Sequence, residues 1–206
     1  MTTRNTVPSG STLMYVLKKN IILVSVCLVL TVVGCSRQGI RPVTDNTNQE
    51  LKEIRTPDIL FVPTPQEVVD KMLELGEVKK GDLIYDLGCG DGRIVVTAAK
   101  KYGCRGVGYD IDPQRVIESM ENVKKNKVQK LVHIEQKDIF TLDLSGANVI
   151  TLYLLSSLNV KLIPQLEKLK PGTRIVSHDF DMQGIVTPDT TITVNSDDFH
   201  QHTIYL

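Results

Sequence analysis

The sequence predicts an α/β domain whose mostly parallel sheet is covered by helices on both faces. Three observations carry that expectation. From residue 57 onward, short apolar runs of strand length alternate with segments whose apolar residues recur at helical spacing. The first such strand runs into Asp86-Leu87-Gly88-Cys89-Gly90-Asp91-Gly92, a glycine-rich strand-to-helix turn of the kind that brings a ligand against bare backbone. Acidic residues accompany the ends of the first three strands, at the sheet edge where open α/β folds bind ligands.

Each element has a local reason. Thr64-Pro65-Gln66-Glu67 reads as a helix start, with Thr64 as N-cap, Pro65 in the first turn and Glu67 completing a capping box. Val68, Val69, Met72, Leu73 and Leu75 give that helix an apolar face, and Gly76 ends it. Leu83–Leu87 is the first strand. Ile94, Val95, Ala98, Ala99 and Tyr102 mark the next helix, and Gly106–Tyr109 the second strand. Asp112-Pro113 opens a third helix, with Val116, Ile117, Met120 and Val123 expected on its buried face. Leu131–Glu135 and Asn148–Leu152 are strands three and four. Leu158, Leu162, Ile163, Leu166 and Leu169 form a helix interrupted or bent at Pro164. Pro171-Gly172 turns the chain into a fifth strand, Arg174–Ser177, and Thr191–Val194 and His202–Leu206 supply the last two. There are no internal repeats and no low-complexity tracts.

Bulk properties narrow the class. The chain has 206 residues, 41% hydrophobic and 23% charged, which is the composition of a globular protein and not of a disordered one. The formal net charge of zero hides an asymmetry: residues 1–35 carry Arg4, Lys18 and Lys19 and no acid, leaving the remainder at −3. An acidic domain has no electrostatic attraction for a polyanion, so no nucleic-acid partner is expected. The four cysteines do not form a disulfide framework, because Cys89 and Cys104 fall too far apart in such a fold to bridge.

The first 56 residues stand apart from the fold. Residues 21–34 form a mainly apolar run preceded by Lys18-Lys19-Asn20. It is shorter than the ~20 residues a spanning helix needs, and its pattern is that of an export signal. Val32-Val33-Gly34-Cys35 at its end resembles the bacterial lipoprotein lipobox, which implies cleavage before Cys35 and a diacylglycerol on its sulfur. The other reading is an uncleaved anchor helix. Arg37, Arg41, Lys52 and Arg55 follow the run, so charge does not decide which side of the membrane the domain faces. The expected organisation is a lipoprotein signal or membrane anchor over 1–35, a polar tether over 36–56 and the domain over 57–206.

The glycine loop carries the chemistry. A dinucleotide fingerprint places its third glycine where this chain has Arg93, which is either a solvated first-turn residue or a partner for Asp91. Asp86 and Asp91 flank the loop and would repel a pyrophosphate, whereas they favour a ligand with an ammonium and a sulfonium, which is S-adenosylmethionine. Asp110, at the end of the second strand, is placed to accept from ribose hydroxyls, and Ile111 to cover one face of adenine. Asp138, after the third strand, is placed to accept from the adenine amino group, with Ile139 or Phe140 against the ring. No residues are assigned to a metal.

With these motifs in view, residues 60–206 resemble small bacterial class I S-adenosylmethionine-dependent methyltransferases and the mitochondrial protein-lysine methyltransferases. Val62-Pro63-Thr64-Pro65, Asp91-Gly92-Arg93-Ile94-Val95 and Ser177-His178-Asp179-Phe180 look like further shared blocks. The resemblance implies a Rossmann-like seven-stranded sheet with its last strand antiparallel. It also implies that Asp86, Gly88 and Gly90 hold the methionine part of the cofactor, Asp110 the ribose and Asp138 the adenine. The implied activity is methyl transfer to a nucleophile, with a protein lysine first and a small molecule second. The alternative is a membrane-tethered binding or structural protein without catalysis, because an exported domain is parted from a cofactor made in the cytosol. Tyr153, after strand four, stands where the methyl acceptor enters or else is a core aromatic. His178 and Asp179, at the end of strand five, are candidate catalytic groups or else a structural hydrogen-bonded pair.

Overall fold

The computed structural model describes residues 56–197 and 200–206. The signal or anchor expected over 1–35, the lipid expected on Cys35 and all but the last residue of the tether lie outside the described residues. Among the described residues, no helix is long and apolar enough to cross a membrane.

Seven strands form one sheet: β1 (Leu83–Leu87), β2 (Arg105–Asp110), β3 (Val132–Gln136), β4 (Val149–Leu152), β5 (Arg174–His178), β6 (Thr191–Asn195) and β7 (Gln201–Tyr205). Their order is β3-β2-β1-β4-β5-β7-β6. The first five are parallel, and β7 runs antiparallel to both β5 and β6, as expected. The helices α1 (Gln66–Leu75), α2 (Arg93–Tyr102), α3 (Pro113–Lys125) and α4 (Ser156–Leu166) alternate with the strands.

Strand alternation divides the core in two. Ile84, Val149 and Val176 face a cluster built with Val68, Val69, Met72 and Leu73 of α1, Val95 and Ala98 of α2 and Val123 of α3. Leu87, Ile150 and Leu152 face the other side, where Leu162 and Leu166 of α4 cover them. β4 is buried at every position because both faces of this central strand are covered. Each fully buried branched side chain there, such as Ile150, contributes on the order of 1.5–3 kcal/mol.

Three sequence expectations are corrected. Thr64 does not cap α1: Pro65 is the N-cap residue and no side chain caps the helix. The Thr64 hydroxyl instead lies 3.3 Å from His178 Nδ1, a partner 114 residues away that local pattern does not reveal. The buried face of α3 is centred on Ser119 and Val123, with Val116 packed at its edge, while Ile117 and Met120 are exposed. Ser119 fits there because Gly92 passes close: a Cβ on Gly92 would lie 2.9 Å from Ser119 Cβ, which leaves no room for a larger residue. Finally, α4 continues through Pro164 to Leu166, so the proline sits in the last turn rather than breaking the helix. Asp112 caps α3 as its position suggests, accepting from the Gln114 N–H at 2.8 Å. Cys89 and Cys104 are both buried free thiols.

Candidate active site

A cavity of about 470 Å³ opens at the carboxyl ends of β1, β2 and β4, within the size range of small-ligand sites, ~300–1,000 Å³. It lies where the strand order reverses between β1 and β4, the crevice that parallel α/β sheets offer to ligands. Residues from Pro57 to Thr64 line one side, ahead of α1.

Asp86 is the most constrained group in this wall. Its side chain is 2% exposed. One oxygen accepts a 2.7 Å hydrogen bond from the Thr151 hydroxyl on the neighbouring strand β4. The other, Oδ2, is buried with no hydrogen-bond partner among the described residues. Burial pushes the carboxyl up to about 7, the Thr151 bond opposes the rise, and the nearby Asp110 and Asp91 add to it. A buried acceptor left without a donor costs about 1–3 kcal/mol, and a cationic ligand group entering the cavity supplies the missing partner.

The glycine loop is held by its own backbone. The N–H groups of Gly88 and Cys89 both donate to the Tyr109 carbonyl, at 2.8 and 2.9 Å. Gly88 has φ +80°, and a Cβ there would meet Leu154 Cδ2 at 2.9 Å, so only glycine keeps this wall clear. Gly90, expected on the cavity wall, is covered: a Cβ there would run into the Phe61 ring, which Arg115 in turn overlies at 4.8 Å. Burial pushes the Cys89 thiol well up, so it is no ready nucleophile.

Asp110 lines the cavity but also braces it. Its Oδ2 accepts from Gly90 N–H at 2.9 Å and its Oδ1 from Asp112 N–H at 3.0 Å. Each carboxylate oxygen keeps a second lone pair for a hydroxyl donor. Burial raises the Asp110 carboxyl, and the two backbone donors oppose the rise. Ile111, Asp138, Ile139 and Phe140 all reach the cavity. Asp138 accepts from Phe140 N–H at 3.0 Å and so shapes the turn Ile139–Thr141 that follows β3.

Of the three candidate catalytic residues, only Tyr153 reaches the cavity. Its ring stacks on His178 with centroids 3.9 Å apart. His178 is fully buried behind it, and Asp179 is likewise off the cavity wall.

Arg93 takes the second of its two expected roles. It pairs with Asp91 through two nitrogens, at 2.9 and 2.6 Å. Asp91 is therefore spoken for by a guanidinium, and the open negative charge of the loop is concentrated on Asp86. Sequence reading missed two parts of this wall. Arg93 also donates from Nη1 to the Thr64 carbonyl at 2.7 Å, a link across 29 residues that spacing does not signal. Nothing in the sequence pointed to Phe61 over Gly90.

A family model of the ANTKMT methyltransferase domain matches residues 86–190. A protein-lysine N-methyltransferase of Saccharolobus islandicus (strain REY15A) is 45% identical over 152 residues, covering 73% of this chain and 93% of the relative. An ATP synthase lysine N-methyltransferase of Homo sapiens is 27% identical over 121 residues, 58% of this chain and 51% of that enzyme. An RNA methyltransferase from Salinibacter ruber, crystallised with S-adenosyl-L-homocysteine, has a TM-score of 0.65 and 52% identity, covering 70% of this chain and 91% of that one. The orphaned oxygen of Asp86 and the bare backbone at Gly88 fit the same nucleoside thioether. With identity of this order spread along nearly the whole length of a methyltransferase, the chain belongs to the ANTKMT methyltransferase-domain family and is a class I S-adenosylmethionine-dependent methyltransferase.

Proposed function

We propose that this methyltransferase acts on the side-chain amine of a lysine in a protein. The observation that carries the reading is the 45% identity to a protein-lysine N-methyltransferase over 93% of that enzyme. Asp86 Oδ2 receives the cofactor's ammonium group, with Gly88 giving its backbone room and Gly90 holding the loop and Phe61 in place. Asp110 accepts from the ribose hydroxyls beside Ile111. Asp138 and Ile139 hold the adenine end. Bound there, the cofactor supplies a methyl group on a cationic sulfonium, which is already an activated leaving group. What remains for the protein is alignment, worth on the order of 7–11 kcal/mol at best, and delivery of a neutral amine. Tyr153 lines the cavity beside the Asp86 wall and positions the acceptor. His178 and Asp179 act through Tyr153, by fixing its ring, rather than by touching the amine.

The Salinibacter relative is described as an RNA methyltransferase, which makes RNA the second reading. Charge favours the lysine. Residues 57–206 carry 17 Lys and Arg against 21 Asp and Glu, and a net negative domain repels a phosphate backbone. The test is incubation of the full-length protein with methyl-labelled cofactor and separate protein and RNA fractions. Label released by protease and mapped to methyl-lysine by mass spectrometry supports the reading; label in RNA alone overturns it. We also propose that residues 1–35 tether the enzyme to a membrane at Cys35, a reading supported by the apolar run before that cysteine. A labelled fatty acid recovered on the wild type and absent from Cys35→Ser supports lipidation; equal labelling of both contradicts it.

A further inference from the structure

Beside the cavity, off its wall, three ligand atoms converge. His178 closes β5, Asp179 follows it, and His202 is the second residue of β7. The antiparallel pairing of His178 with Ile204 brings the three together. His178 Nε2 lies 3.0 Å from His202 Nδ1, His202 Nδ1 lies 3.0 Å from Asp179 Oδ2, and His178 Nε2 lies 3.2 Å from Asp179 Oδ2. With neutral rings, a chain of ordinary hydrogen bonds cannot fill all three edges, because each ring nitrogen either donates or accepts. A single three-centre proton or a cation is needed among them.

We propose that His178, His202 and Asp179 bind a divalent transition cation of the zinc, cobalt(II) or iron(II) class, with water completing its shell. Edges of 3.0–3.2 Å are those of three ligands held about 2.1 Å from one cation at angles of ~95°. That is a facial arrangement of two imidazoles and a carboxylate. The outer atoms of two ligands are already anchored, as metal ligands require. His178 Nδ1 lies 3.3 Å from the Thr64 hydroxyl, and Asp179 Oδ1 accepts from Thr203 N–H at 2.8 Å. Asp179 holds a left-handed backbone, φ 59°, uncommon for a residue with a Cβ, and its own N–H is fixed to the Thr203 carbonyl at 2.7 Å. His178 is fully buried, while the partly exposed Asp179 side chain gives a cation its way in. The cation joins the end of β5 to β7 directly behind Tyr153. It does not touch the transferring methyl, so its role is to stiffen the support of that ring.

The test uses full-length protein without a histidine tag, stripped by a chelator and titrated with Co²⁺ alone. A visible ligand-field band saturating at one Co²⁺ per chain, and bleached by Zn²⁺, supports the site. Zn²⁺ at a hundredfold excess over its dissociation constant is expected to raise the unfolding temperature by about 5 °C. His202→Gln and Asp179→Asn, each shown by a cooperative melt to be folded, are expected to lose both responses. Absence of both responses in the folded wild type overturns the proposal, as does an unchanged band in both variants. An imidazole N–H resonance bridging the two rings that persists under excess Zn²⁺ also overturns it, by assigning the triangle to a proton.

Discussion

Burial of Asp86 beneath the glycine loop gives cofactor binding a pH window. Its carboxyl rises from 3.8 unfolded to about 7 folded, chiefly through loss of water. Between those values the folded, ligand-free chain holds a proton that the unfolded chain does not. This group's contribution to stability is therefore full below about pH 4 and is lost as pH rises through about 7. A cationic ligand selects the ionised form and reverses the trend for binding. Affinity for S-adenosylhomocysteine, measured by calorimetry, is expected to rise about tenfold from pH 6 to pH 8. Asp86→Asn is expected to bind weakly with a flat profile; a wild-type profile in that variant removes Asp86 from the site. At this scale the sequence was informative wherever function sat within a few residues of a strand end. Asp86, Gly88, Asp110 and Asp138 were all legible by position. The Arg93–Thr64 and Thr64–His178 contacts were not, because they join residues 29 and 114 positions apart.

At the scale of elements, Arg93 fastens the segment before α1 to the glycine loop through the Thr64 carbonyl and the Asp91 carboxylate. Arg93→Ala is expected to expose residues 57–64 to limited proteolysis in the absence of cofactor and to weaken cofactor binding; an unchanged digestion pattern contradicts this. Lysine at that position lacks the planar fork and is expected to rescue little. Helix α3 gives the sharper contrast. Sequence periodicity placed Ile117 and Met120 inward, yet both are exposed. The helix is turned so that Ser119 meets Gly92 and Val123 meets the core. Ile117→Gln is therefore expected to change stability by less than about 0.5 kcal/mol, and Val123→Ala to cost about 1–2.5 kcal/mol, both read from urea denaturation. An apolar stripe counts residues, and it cannot see that a glycine in the loop beyond draws a serine inward.

Over the whole molecule, the chain's alternation of strands and helices fixed the parallel sheet, and the late antiparallel strand followed as expected. Sheet ends divide the labour. The carboxyl ends carry the site, while near the opposite end Arg174, opening β5, reaches the buried Asp82 just before β1 at 2.9 Å. Removing one partner of a largely buried pair leaves the other uncompensated. Arg174→Ala is expected to cost about 2–3 kcal/mol of stability with cofactor affinity unchanged below the melt. That variant therefore separates folding from binding. The most direct test of the account is a calorimetric titration of the full-length protein with S-adenosylhomocysteine, run beside Asp110→Ala and Arg174→Ala. The account predicts one site per chain, a loss of at least about tenfold in affinity for Asp110→Ala and wild-type affinity for Arg174→Ala. No binding by the wild type, or equal binding by Asp110→Ala, would contradict it.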